Sequence, residues 1–156
     1  QTALLSQIRL SIKDGRELKI FGNQYSTKDG TCIRDFVHVY DVARAVVTGM
    51  KSLINRQSHP GIYGVKRPVL EAQLQGRAIR DPLFEIYNIG SEYGYSVQEI
   101  IDKTQQLFDT KLNVKVIDPR PDEVVVSVAS SQKLQQELGF KFEYSDLENI
   151  LRTSLA

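Results

Sequence analysis

The sequence predicts an α/β fold, and three observations carry that expectation. Apolar residues recur at helical spacing in some segments and alternate in others, and the two kinds of segment take turns along the chain. Two Ser-x-x-Glu pairs, Ser96 with Glu99 and Ser145 with Glu148, have the form of capping boxes that open helices. No internal repeat or low-complexity tract points instead to a solenoid or a fibrous chain.

The elements follow in order. Leu5, Ile8 and Ile12 lie on one helical face, Asp14 and Gly15 stop that helix, and "LKIF" continues as a strand. The next loop holds Lys28, Asp29 and Gly30, which alone suggest a hairpin tip, because Asp-Gly supplies the positive φ angles of a tight turn. "DFVHVY" alternates like a strand. Asp41 is then expected to cap a helix whose Val42, Ala45, Val46, Gly49, Met50 and Leu53 form a well-buried face. From 57 to 82 the pattern is broken by Pro60, Gly61, Gly64, Pro68, Gly76 and Pro82, with only "VLEAQLQ" suggesting a helical turn, so this stretch is taken as a surface insertion. "FEIYNIG" is expected as a strand, "VQEIIDKTQQLF" as the helix opened by Ser96, and "LNVKVI" as a further strand. After the polar loop "DPRPDE", the alternating "VVVSVA" is a strand, "SQKLQQEL" a helix closed by Gly139, and Ser145 opens the last helix.

Composition narrows the function. A chain of 156 residues, 41% hydrophobic and 25% charged, is long enough for one domain with a core. A net charge of +1 gives no overall field for nucleic acid or an anionic membrane, so neither is expected as a partner and any anion must be held locally. One cysteine, Cys32, excludes an internal disulfide, and with two histidines it leaves no zinc cluster; this suits a reducing, cytoplasmic setting. No apolar run approaches the roughly 20 residues of a membrane span, and no signal peptide opens the chain. The chain begins at Gln1 inside a helical pattern, so it is expected to be a piece of a longer protein.

Several long motifs then carry a resemblance. "KIFGNQYSTKDGTCIRDFVHVYDVARA", "IYNIGSEYGYSVQEII", "PRPDE" and "SSQKLQQELGF" together look like the carboxyl-terminal half of the UDP-glucose 4-epimerases, a branch of the NAD-dependent nucleotide-sugar epimerases and dehydratases (extended short-chain dehydrogenases/reductases). The resemblance covers nearly the whole chain except the 57–82 insertion. It implies the small substrate-binding domain of an extended Rossmann-type epimerase, residues 1–156, with segments that normally pack on an NAD-binding sheet this chain lacks. It also implies an isomerase of galactose metabolism as the parent, with NAD as cofactor, UDP-glucose and UDP-galactose as ligands extending to UDP-N-acetyl sugars, and a homo-oligomeric state. The glycine-rich turn and the Tyr-x-x-x-Lys pair of the family are absent, so the chain alone is expected to bind no NAD and to be catalytically silent.

The same resemblance implies a set of substrate-binding residues. Arg34 and Arg120 would clamp the pyrophosphate, a task suited to planar, always-charged guanidinium forks. On its residues alone, Arg34 could instead pair with a nearby acid at the surface. Lys19 and Phe21 match positions that face uracil, although Phe21 could also be an ordinary core aromatic at a strand end. Glu123 stands where the family has an aspartate on the ribose hydroxyls, and Asp122 replaces a usual glycine. Ser127 matches a wall that limits the sugar, a small residue leaving room for an N-acetyl group. His38 is expected as a hydrogen-bonded strand histidine, Phe140 as core, and Cys32 as unreactive for want of a base partner. The other class of function these residues allow is a non-catalytic module that binds a nucleotide sugar or a partner as it stands.

Overall fold

Leu18–Phe21 (β1) alternates buried and exposed residues and pairs in parallel with Val114–Ile117 (β4), Leu18 opposite Val114 and Phe21 opposite Ile117. A second sheet is built on Ile33–Asp35 (β2), which pairs antiparallel with Gly94–Ser96 (β3) and parallel with Val126–Ser127 (β5). The structure is a computed structural model that describes residues 3–57 and 85–155. Its helices are Leu4–Asp14 (α1), Val39–Gln57 (α2), Val97–Phe108 (α3), Gln132–Leu138 (α4) and Leu147–Leu155 (α5).

The main core lies between the β1–β4 pair and helices α1, α3 and α5. Ile8, Leu18, Ile100, Ile101 and Leu151 are fully enclosed there, each contributing about 1.5–3 kcal/mol of apolar burial. A smaller cluster of Ala45, Leu134 and Phe140 joins α2 to α4, with Tyr87 and Ile89 packed against it. Phe140 is therefore core, as its position after the helix suggests. Among the described residues no helix is long and apolar enough to cross a membrane, and no cluster could hold a metal ion.

The capping box of α3 forms as read: Glu99 N donates to Ser96 Oγ at 3.1 Å and Ser96 N to Glu99 Oε2 at 2.8 Å. Gly139 ends α4 with φ +62°. Elsewhere the local signals are overridden. Only Ile33–Asp35 of the region around "DFVHVY" is strand, because His38 starts the helix early: its carbonyl accepts Val42 N at 3.1 Å and its Nδ1 accepts Tyr40 N at 3.0 Å. His38 is thus a helix cap rather than a strand residue, and Asp41 falls inside the first turn of α2. Before the last helix, α5, Asp146 rather than Ser145 is the cap: its Oδ1 accepts Asn149 N at 2.9 Å, while Ser145 Oγ accepts His38 N at 3.0 Å and donates to Asp41. The expected strand at "FEIYNIG" is absent over 85–90, where no neighbouring strand pairs with it among the described residues, and "VVVSVA" shortens to two residues. The 57–82 insertion lies outside the described residues but for its first.

Helix α2 departs most from expectation. Ala45 is buried, but Val46, Val47 and Met50 are each about half exposed, so the helix is apolar on a second face that no other described residue covers. The Lys28–Gly30 loop is also not a simple hairpin tip. Asp29 accepts Thr31 N at 2.9 Å and Thr31 Oγ1 at 2.7 Å, and it also accepts the Ser96 hydroxyl, while Lys28 pairs with Glu99. Those bonds fasten the loop to the start of α3. Gly30, at φ +80°, admits no side chain, because a Cβ there would sit 2.0 Å from the Asn23 carbonyl oxygen. Both constraints fix where β2 begins.

Candidate anion-binding cavity

Strand alternation decides which side chains of the β2 segment share a face. Cys32, Arg34 and Phe36, two apart, line one cavity of about 490 Å³, which Asp35 also borders and which the end of β1 closes from the other side with Lys19 and Phe21. The β4–β5 connection supplies Arg120 and Glu123, and the start of α1 supplies Ala3, Leu4 and Gln7. The turn in that connection explains how one short loop aims two charges inward. Pro121 fixes the first corner, and Asp122, at φ +57°, reverses the chain in a conformation that favours glycine.

Arg34 is held along its whole terminal fork. Its Nη1 donates to the carbonyls of Ile33 (2.8 Å) and Val125 (3.3 Å), and its Nη2 donates to Glu123 Oε1 at 2.6 Å. Arg120 lies over the Phe21 ring, 3.6 Å from its centroid, and its Nη1 is 3.8 Å from Glu123 Oε2. Its Nε is buried without a hydrogen-bond partner among the described residues. Two guanidinium groups from distant segments therefore meet at one carboxylate on the cavity wall. Such a pair of planar cations is chemically suited to phosphate oxygens.

The remaining expected site residues fall in different places. Lys19 is exposed at the cavity rim, and Phe21 lines the cavity with Arg120 over one ring face. Ser127 stands opposite Arg34 in the parallel register but is exposed and does not line the cavity. Cys32 is buried, and burial pushes its thiol up despite the pull of the Arg34 charge beside it, which makes it a poor nucleophile. Sequence reasoning missed Phe36 and Cys32 as cavity walls. Their two-residue spacing around Arg34 was the available signal.

Comparison with known proteins supplies the relatives of this arrangement. The profile described as "NAD dependent epimerase/dehydratase family" matches residues 1–65. A UDP-glucose 4-epimerase of Dictyostelium discoideum is 32% identical over 124 residues, which are 80% of this chain and 29% of that protein. A UDP-glucose 4-epimerase of Lacticaseibacillus casei is 28% identical over 151 residues, 97% of this chain and 38% of that protein. The crystal structure of a UDP-glucose-4-epimerase from Stenotrophomonas maltophila, with bound NAD and formylated UDP-arabinopyranose, matches with a TM-score of 0.72 at 26% identity, covering 99% of this chain and 39% of that one. The chain spans about a third of the length of the curated relatives it matches.

Proposed function

We infer, from a chain that belongs to the NAD-dependent epimerase/dehydratase family, that it forms the UDP-sugar-holding part of a UDP-glucose 4-epimerase. The observation that carries this reading is the convergence of Arg34 and Arg120 at one cavity. A pyrophosphate bears adjacent negative charges, and two guanidinium forks on separate elements can take one phosphate each. Lys19 and Phe21 stand at the uracil end of the proposed ligand and Glu123 near its ribose. Ser127 lies outside this cavity, so its assignment to the sugar end, where a small side chain leaves room for an N-acetyl group, rests on the family resemblance and on its place beside Arg34 in the register.

Nothing among the described residues supports an NAD site. Strand β3 runs directly into α3 through the Ser96 cap, and β2 reaches α2 through Phe36–His38, so neither passage offers a glycine-rich backbone to a dinucleotide pyrophosphate. No Tyr-x-x-x-Lys pair occurs in the sequence. Hydride transfer and NAD binding are assigned to sequence outside this chain, and the chain alone is expected to be inactive. The apolar face of α2, half exposed at Val46, Val47 and Met50 and uncovered by any other described residue, favours this over a self-contained binding module, since it fits a surface made to lie against another body.

The reading is tested by calorimetric titration of the chain and of the longer protein with UDP and with uridine. Saturable UDP binding that uridine does not match is expected. Equal affinity for the two, or binding of neither, overturns the assignment.

A further inference from the structure

We propose that Glu123 is a built-in counter-ligand of the arginine clamp, a carboxylate that stands in for a phosphate on Arg34, yields to the second phosphate of a diphosphate, and so loosens the grip on that ligand. The proposal rests on the diphosphate reading above.

The two arginines are not equally available. Arg34 has both terminal nitrogens engaged, Nη1 on two backbone carbonyls and Nη2 on Glu123 at 2.6 Å. Arg120 touches Glu123 only at 3.8 Å, and its side chain is 32% exposed. An arriving phosphate therefore meets Arg120 as it stands, whereas it gains Arg34 only by replacing the Glu123 carboxylate.

Charge points the same way. The cavity lining sets Lys19, Arg34 and Arg120 against Asp35 and Glu123, an excess of one positive charge. A single phosphate is served by that excess. A second one needs Arg34 released.

Free monophosphate competes poorly for Arg34, because the Glu123 carboxylate is tethered to the site and acts at a high effective concentration. The second phosphate of a ligand already seated on Arg120 is tethered too, so the exchange becomes one intramolecular anion for another. Its net gain is correspondingly small, since one charge-assisted pair forms as another breaks. Glu123 thus holds down affinity for diphosphates and leaves that for monophosphates nearly untouched. Its side chain lines the cavity and is 17% exposed, so solvent already reaches part of the carboxylate that must give way.

The experiment titrates the chain with inorganic pyrophosphate and with orthophosphate, comparing wild type, Glu123→Gln and Asp122→Asn. Asp122 is the charge control: it neighbours Glu123 but has no ion pair to either arginine among the described residues. Glu123→Gln is expected to tighten pyrophosphate about tenfold while orthophosphate changes less than about threefold, and Asp122→Asn should move both by less than about threefold. Weaker pyrophosphate binding in Glu123→Gln would mean that the carboxylate supports the clamp rather than occupying it, and would overturn the proposal. So would equal tightening of both anions, a matching effect of Asp122→Asn, or no pyrophosphate binding by any of the three proteins. Should Glu123→Gln lose its cooperative melt, Glu123→Asp, whose shorter arm withdraws from Arg34, carries the same selective tightening in smaller degree. These probes contain no uridine, so they judge the counter-ligand separately from the UDP assignment, which stands or falls on UDP against uridine.

Discussion

The carboxylate of Asp41 accepts the Ser145 hydroxyl at 2.7 Å, joining the first turn of α2 to the segment that precedes α5. The group is fully enclosed and also accepts Arg44 Nη1 (2.8 Å), Tyr144 N (2.9 Å) and Glu143 N (3.2 Å). A buried anion so completely paired is expensive to break from one side. Asp41→Ala should destabilise the fold by about 3–5 kcal/mol, and Ser145→Ala by about 1 kcal/mol, as read from denaturant midpoints.

The same carboxylate gives the stability a pH dependence. Burial pushes Asp41 up, but the hydrogen bonds from Ser145, Tyr144, Glu143 and Arg44 outweigh it and hold the group below its ordinary value. A carboxyl lowered in the folded state contributes stability that is complete above its unfolded value, about 3.9, and is lost as pH falls through the folded value. Unfolding curves between about pH 2 and pH 6 should therefore show wild type weakening at the acid end. Asp41→Asn, less stable throughout, should lack that portion of the slope.

For the clamp, Arg120→Ala should cost UDP binding about 1.5–3 kcal/mol, roughly ten- to a hundredfold. Arg34→Ala should cost less, about tenfold or below, because part of what Arg34 offers is spent on releasing Glu123. Uridine affinity should barely change in either. Calorimetry with both ligands measures this, and equal losses for UDP and uridine would remove the arginines from the phosphates.

Asp122 occupies a left-handed conformation that glycine adopts without steric cost. Asp122→Gly should raise stability by about 0.5–1 kcal/mol where relief of strain exceeds the entropy gained by the unfolded chain. A lower melting temperature would show that the Asp122 side chain contributes a contact worth more than the strain.

The open face of α2 should drive self-association of the isolated chain. Val46→Lys with Met50→Lys replaces two half-exposed apolar residues by charges and should lower both the apparent mass in light scattering and the binding of a hydrophobic dye, with little change in melting temperature. A wild-type chain that stays monomeric and binds no dye would mean that this face needs no cover.

The sequence was most legible where a single local interaction decides the structure. The LKIF strand, the Ser96–Glu99 box and the Gly139 stop depend on a few neighbouring residues, and all three form as read. Legibility failed where the deciding partner is far away in the chain. Ser145 has the residue type and spacing of a cap, but its oxygen accepts the distant His38 N and its proton goes to Asp41, so Asp146 caps α5 instead. The α2 periodicity correctly marked Ala45, yet it could not say that Val46 and Met50 face outward, because burial depends on which bodies are present. In the cavity, the family pattern pointed to Arg34 and Arg120 as a pair and to Glu123 as a separate ribose ligand. Only coordinates reveal that Glu123 lies between them.

The parallel pairings have a consequence for how the chain reaches this state. Leu18 finds its partner at Val114 and Arg34 at Ser127, so each sheet closes a loop of about 95 residues before its hydrogen bonds form. Contacts of such high sequence separation make folding slow. On a ribosome, β1 and β2 must wait with bare edges until most of the later sequence has emerged. For tens of residues of synthesis, the strands that aim the phosphate-binding arginine are available to any other extended segment, and expression yield should therefore depend on translation speed and chaperone supply more than the melting temperature of the finished protein suggests.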